Sequence, residues 1–214
     1  LIGTYVSSAQ INVKDSSITI PIINIHAGFH MPSGDLAERF GNNGTIGAGF
    51  HLKLKNNFIL GADYDFIYGK DVKNKNNYLH ALRTETGYVI DANGQYSELF
   101  FYQRGFNASV QLGYQFNFLS PNPNSGPFFT LSPGLLQHYV RIENPDNVTP
   151  QINGEYIKGY DRLTNGMSMT GFVGYRFLSN SRLYNFYIGF EMTQAWTQSR
   201  RSYNMDDMAR DIQK

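Results

Sequence analysis

Residues 106–116 read Phe106-Asn107-Ala108-Ser109-Val110-Gln111-Leu112-Gly113-Tyr114-Gln115-Phe116. Even positions are apolar or aromatic; odd positions are small or polar. A period of two predicts a strand with one greasy and one polar face. The alternation recurs six more times. On one side of it stand Ile23, Ile25, Ala27, Phe29 and Met31; Ile46, Ala48, Phe50, Leu52 and Leu54; and Phe58, Leu60, Ala62, Tyr64, Phe66 and Tyr68. Further along come Phe129, Leu131, Pro133 and Leu135; Met167, Met169, Val173, Tyr175 and Phe177; and Phe186, Ile188, Phe190 and Met192, followed by the single Trp196. Seven strands follow, near residues 18–31, 44–55, 58–69, 103–117, 127–142, 166–178 and 183–197.

Composition agrees. Only 16% of the 214 residues are charged and 15% are aromatic, with 21 Gly, where about 25% charge is usual for a globular domain. The longest strongly apolar run is Leu99–Tyr102, far short of the ~20 residues of a membrane helix. A net charge of +1 gives no basic footprint for nucleic acid. The absence of Cys removes disulfides, thiolate nucleophiles and zinc-thiolate sites.

The strands are long, roughly 9–12 residues against a usual mode of about 5–6, and a tilted membrane strand needs about 9–11. The apolar faces carry no Asp, Glu, Lys or Arg, and the opposite faces carry Lys53, Asp63, Asp65, Arg176 and Glu191. A soluble sandwich would also separate charge this way. Strand length and aromatics at the strand ends (Phe58, Tyr68, Tyr114, Phe116, Tyr175, Phe177, Trp196) favour a membrane barrel with interfacial girdles. The connections at 55–57, 117–126 and 179–182 are short. Those at 32–44, 69–105 and 143–166, and the stretch after Trp196, are long. This alternation matches short periplasmic turns and long extracellular loops and puts the N-terminus in the periplasm. Asn93-Gly94 marks a hairpin over Tyr88–Tyr96 within the longest loop.

The expected fold class is therefore all-β, an antiparallel up-and-down transmembrane barrel in a single domain over residues 10–214. Residues 1–9 read either as the tail of a secretory signal, ending Ser7-Ser8-Ala9, or as a periplasmic arm. Antiparallel barrels of this kind have even strand numbers, so an eighth strand after Lys214 is expected.

The chain resembles the small eight-stranded outer-membrane β-barrel proteins of Bacteroidota type, related in architecture to OmpA and OmpX barrels. The resemblance rests on Gly34-Asp35-Leu36-Ala37-Glu38-Arg39-Phe40-Gly41, Gly105-Phe106-Asn107-Ala108, Pro123-Asn124-Ser125-Gly126 and Gly159-Tyr160-Asp161-Arg162-Leu163. It implies a bacterial outer-membrane location and a role that is structural, or accessory to secretion or barrel-assembly machinery.

The residues point to no enzyme and no cofactor. His26, His30 and His51 share the polar side of two neighbouring strands, where a hydrogen-bonded network is expected over a three-imidazole metal site. Ser132 and His138 lie ~20 Å apart along one strand and cannot form a nucleophile–base pair. No His, Asp or Glu lies on the lipid face to serve a lipid-modifying enzyme. Gly41–Gly44 precede no helix and form no phosphate cradle. Lys53, Asp63, Asp65, Arg176 and Glu191 are expected to form opposite-charge pairs in a narrow lumen, which disfavours the alternative of a passive pore. Phe100, Phe101, Tyr102, Tyr156, Tyr160, Arg162, Arg200 and Arg201 are the expected rim for other outer-membrane proteins. The Arg200-Arg201 pair is also a candidate for lipopolysaccharide phosphates.

Overall fold

The structure is a computed structural model that describes residues 16–145, 148–180 and 184–210. Seven strands form one antiparallel sheet in chain order: β1 (Ile20–His30), β2 (Asn43–Lys53), β3 (Phe58–Gly69), β4 (Phe100–Gln115), β5 (Gly126–Glu143), β6 (Thr164–Leu178) and β7 (Asn185–Ser199). Every period-two segment of the sequence is a strand. Among the described residues one five-residue helix, α1 (Asp35–Arg39), and four short 3₁₀ turns lie in the connections. No helix among the described residues is long and apolar enough to cross a membrane. The segment 1–9 and the start of the seventh expected strand lie outside the described residues.

The sheet is open, with β1 and β7 as its edges, but it curls strongly. Partners in register lead from His26 through Gly47, Asp65, Asn107, Leu136 and Gly166 to Thr197. Yet the β7 ring lying 6.4 Å from His26 is Tyr187, ten residues before Thr197. Its hydroxyl donates to Asn24 Oδ1 at 3.3 Å. Such a stagger is what strongly tilted, coiling strands produce.

Within the sheet the apolar face points outward and is exposed, and the concave face is polar. Gln103, Asn107, Gln111, Gln115, Thr130, Ser132, Ser168 and Thr170 are all buried on it. The hydrophobic core lies elsewhere, in a cap at the long-loop end. Phe40, Val72, Tyr78, Leu79, Val89, Phe101, Val140, Ile142, Ile152 and Tyr160 pack together there, flanked by Leu36, Leu82, Leu99, Ile157 and Met205. Backbone bonds stitch the cap: Phe40 bridges Val72, Ala92 N donates to Val148 O at 2.9 Å, and Met205 N donates to Gly159 O at 2.9 Å. Arg83 ties its own loop by donating to the carbonyls of Tyr78, Gly87 and Lys75. The turn at Asn93-Gly94 forms: Gly94 takes φ +75°, Asp91 N donates to Gln95 O at 2.8 Å, and the Tyr88 and Tyr96 rings stack at 4.7 Å.

Strands β4 and β5 extend into the cap, and there the two faces exchange polarity. Inward positions become apolar (Phe101, Val140, Ile142), while outward ones carry Arg104, Arg141 and Glu143. The charge-free outer face therefore ends near Tyr68, whose ladder partner is Arg104.

Candidate functional site

The concave face holds a network built on three neighbouring strands. His26 of β1, Gly47 of β2 and Asp65 of β3 are successive ladder partners, as are Asn24, Gly49 and Asp63. A Cβ on Gly47 would sit 2.5 Å from His26 Nε2, and one on Gly49 would sit 3.0 Å from Asn24 Nδ2, besides still closer approaches to Asp65 and Asp63. Glycine in the middle strand is what lets side chains from either flank meet above it. His26 Nε2 bonds Asp65 Oδ1 at 2.6 Å, and its Nδ1 bonds Asn24 Oδ1 at 2.7 Å. Both ring nitrogens thus face oxygen acceptors, an arrangement the imidazolium satisfies. His51 Nε2 bonds Asp63 Oδ1 at 2.8 Å, and Arg176 Nη2 approaches His51 Nδ1 at 3.4 Å.

The expected pairing among Lys53, Asp63, Asp65, Arg176 and Glu191 is corrected by this geometry. The two aspartates take histidine partners. Lys53 Nζ donates to Ser17 Oγ at 2.9 Å and to Asn124 Oδ1 at 3.1 Å. The Arg176 guanidinium lies 4.4 Å above the Phe128 ring. Glu191 faces inward on the edge strand and makes no ion pair among the described residues. Imidazoles win because His26 of β1 and Asp65 of β3 flank Gly47 of the intervening β2, whereas Lys53 sits at the short-turn end of β2 beside the Asn122–Ser125 turn.

Chemically the network is inward-looking. Each nitrogen of His26 and His51 is already engaged, so neither ring is free to activate a hydroxyl as a general base. His30 Nε2 meets Thr45 Oγ1 at 3.0 Å with no carboxylate bonded to the ring. Among the described residues no group of three or more His, Cys, Asp or Glu is placed to hold a metal ion. Phe128, Phe172 and Tyr187 fill the same interior with ring centroids 5.2–6.1 Å apart.

The expected rim divides. Phe101 and Tyr160 are buried in the cap core, so their sequence assignment as partner-facing is corrected: aromatics of the cap bury one another first. Arg162 lies 4.5 Å over the Tyr78 ring and 3.6 Å from Asp206. Arg201 makes a bidentate pair with Asp161, which raises the guanidinium pKa further. Arg200 Nε donates to Asn165 Oδ1. Phe100, Tyr156 and Arg200 remain exposed and Tyr102 is half-buried beneath Arg104. Sequence reasoning missed Asp206. Its carboxylate is fully buried beside His80 and Arg162 and anchors the tail after β7 to the loop after β3. Burial pushes its pKa up, against the backbone N–H of Leu79 and the charge of Arg162. A hollow of about 420 Å³ is lined by its neighbour Arg162 together with Asp35, Glu38, Arg39, Lys73 and Tyr78 among others.

Comparison of the chain with protein-family models, curated proteins and solved structures finds no match.

Proposed function

We propose that the chain is a bacterial outer-membrane β-barrel protein that serves, without chemistry of its own, as a structural or accessory subunit of an outer-membrane complex of the secretion or barrel-assembly type. The observation that carries this reading is the outer face: Ile23 is 84% exposed and Phe190 89%, within a band of exposed apolar side chains on all seven strands. Contiguous apolar surface beyond a few hundred Å² is rare on a monomer surrounded by water. On β3 the band runs from Phe58 to Tyr68, roughly 33 Å along the strand. At a tilt of about 40° that is ~25 Å of height, the thickness of an outer-membrane apolar band. The aromatic contacts Phe58–Tyr114, Tyr114–Phe116 and Phe177–Phe186 lie at the short-turn end, where a periplasmic girdle belongs. In this reading the long loops are extracellular, and the outward Arg104, Arg141 and Arg200 meet lipopolysaccharide.

The packed interior speaks against a passive pore, and the engagement of both ring nitrogens of His26 and of His51 speaks against their use as catalytic bases. Exposed Phe100, Tyr156 and the Tyr88–Tyr96 stack are the surface left for a partner protein. Fractionation should place the protein in the outer membrane with heat-modifiable mobility. Co-purification in mild detergent should then recover a partner, and the double substitution Phe100→Ala with Tyr156→Ala should lose it. Recovery in the soluble fraction would overturn the membrane reading. A lone monomer in every mild detergent would overturn the accessory role.

A further inference from the structure

At the short-turn end of the interior, two cations are buried without a carboxylate. Lys53 is 0% exposed and Arg176 2%, and neither lies within 4.0 Å of an Asp or Glu oxygen among the described residues. Two of the three N–H bonds of the Lys53 ammonium are used, by Ser17 and Asn124. Arg176 Nη1 is buried with no partner, and Gln115, 0% exposed, has both amide atoms unpartnered.

Shared neighbours and the strand register place these groups at one end of the interior. Arg176 touches His51, two residues before Lys53 on the same inward face. Its guanidinium covers Phe128, the ladder partner of Gln115. Following the ladder from Lys53, the partners on β4 and β6 are Gly113 and Phe172. Gln115 and Arg176 lie two and four residues closer to the short-turn end. A stagger of ten residues per circuit is a little over one per strand, so this offset is what a common height demands. Asp63 reaches Arg176 only through His51, and Lys53 has no carboxylate bonded to its ammonium among the described residues, so the positive charge at this end of the interior is not countered locally.

We infer that Lys53, Arg176 and Gln115 form a binding site for one small monovalent anion of the halide class, seated on the interior floor between β2, β4 and β6. Water could satisfy the orphaned N–H groups but not the charge, and buried charges need a counter-charge. The Arg176 Nη1–H and the third Lys53 N–H supply charge-assisted bonds, and the Gln115 amide supplies a neutral one. The site does not depend on what surrounds the outer face or on any partner.

The test uses the purified full chain in detergent. Thermal unfolding in sodium chloride is compared with sodium gluconate at equal ionic strength, and crystals are soaked in bromide. The expected result is a midpoint several degrees higher in chloride, saturating with concentration, and an anomalous peak within bonding distance of Lys53 Nζ and Arg176 Nη1. K53M should abolish the chloride response. Should K53M fail to fold, Q115L keeps both charges and should weaken the chloride midpoint about tenfold, the loss of one good hydrogen bond. Equal midpoints in chloride and gluconate, a bromide peak elsewhere, or an unchanged chloride response in Q115L alongside either result would each overturn the site.

Discussion

Inside the curled sheet, His26, Asp65, His51, Asp63 and Arg176 meet through directed bonds of 2.6–3.4 Å. In the cap, Phe40, Tyr78, Phe101 and Tyr160 meet through undirected apolar contact. The same two strands, β4 and β5, run through both regions with unbroken alternation. What changes is which face is apolar. Burial of a Val, Leu, Ile or Phe side chain stabilises by about 1.5–3 kcal/mol, and here that term is concentrated in the loops. The interior around His26 and His51 gains instead from directed polar bonds, each net worth only ~1 kcal/mol, and groups left unpartnered there, such as the Gln115 amide, are expensive. A cap defect should therefore loosen loops, and an interior defect should disturb strand register or shape.

The largest expected effect is in the cap. Phe101→Ala should cost about 3–5 kcal/mol, seen as rapid proteolysis in the 70–99 and 144–163 loops while heat-modifiable mobility of the sheet persists. If sheet and loops unfold together, the two regions are one cooperative unit. Next comes the interior. Gly49→Ala would press a methyl group onto the Asp63 carboxylate and should cost about 1–3 kcal/mol, read from the thermal midpoint, with loop proteolysis unchanged. His26→Ala should fall in the same range by leaving Asp65 without its partner.

A smaller effect is expected from Asp206. Burial raises its carboxyl above the ordinary 3.8, opposed by Arg162 and His80. The folded cap therefore holds that proton more tightly than the unfolded chain. The associated stability is fully present below pH 3.8 and is lost as pH rises through the raised folded value. Asp206→Asn should flatten the pH dependence of hydrogen-exchange protection in the cap over that window; an unchanged profile would remove Asp206 as its source. The smallest effect belongs to the exposed Lys158–Glu155 pair. Lys158→Ala should shift stability by no more than about 0.5 kcal/mol.

The sheet was legible because period-two alternation is a local property. Phe58–Gly69 matches its expected bounds of 58–69. The start of β4 at Phe100 was harder to read. An apolar-outward pattern loses its phase where Phe101 turns inward and Arg104 outward, although the backbone continues. The interior pairs depended on register, which a lone sequence fixes poorly. One signal was available: Gly47 and Gly49 fall in the polar phase of β2, between a strand offering Asn24 and His26 and one offering Asp63 and Asp65. The burial of Tyr160 and Phe101 was out of reach, because cap packing joins strand ends and loops far apart in the chain.

That last feature bears on the order of assembly. Each ladder of the sheet joins neighbours in chain order, so each can form as soon as its second strand exists. The cap core instead gathers Phe40, Val72, Phe101, Val140 and Tyr160, with Met205 laid over it from beyond the last strand. Contacts of such sequence separation come after the loops they close have been drawn in. The cap is thus a seal completed from beyond β7, and a molecule stalled before residue 205 would carry strands β1–β7 beneath an unfinished lid.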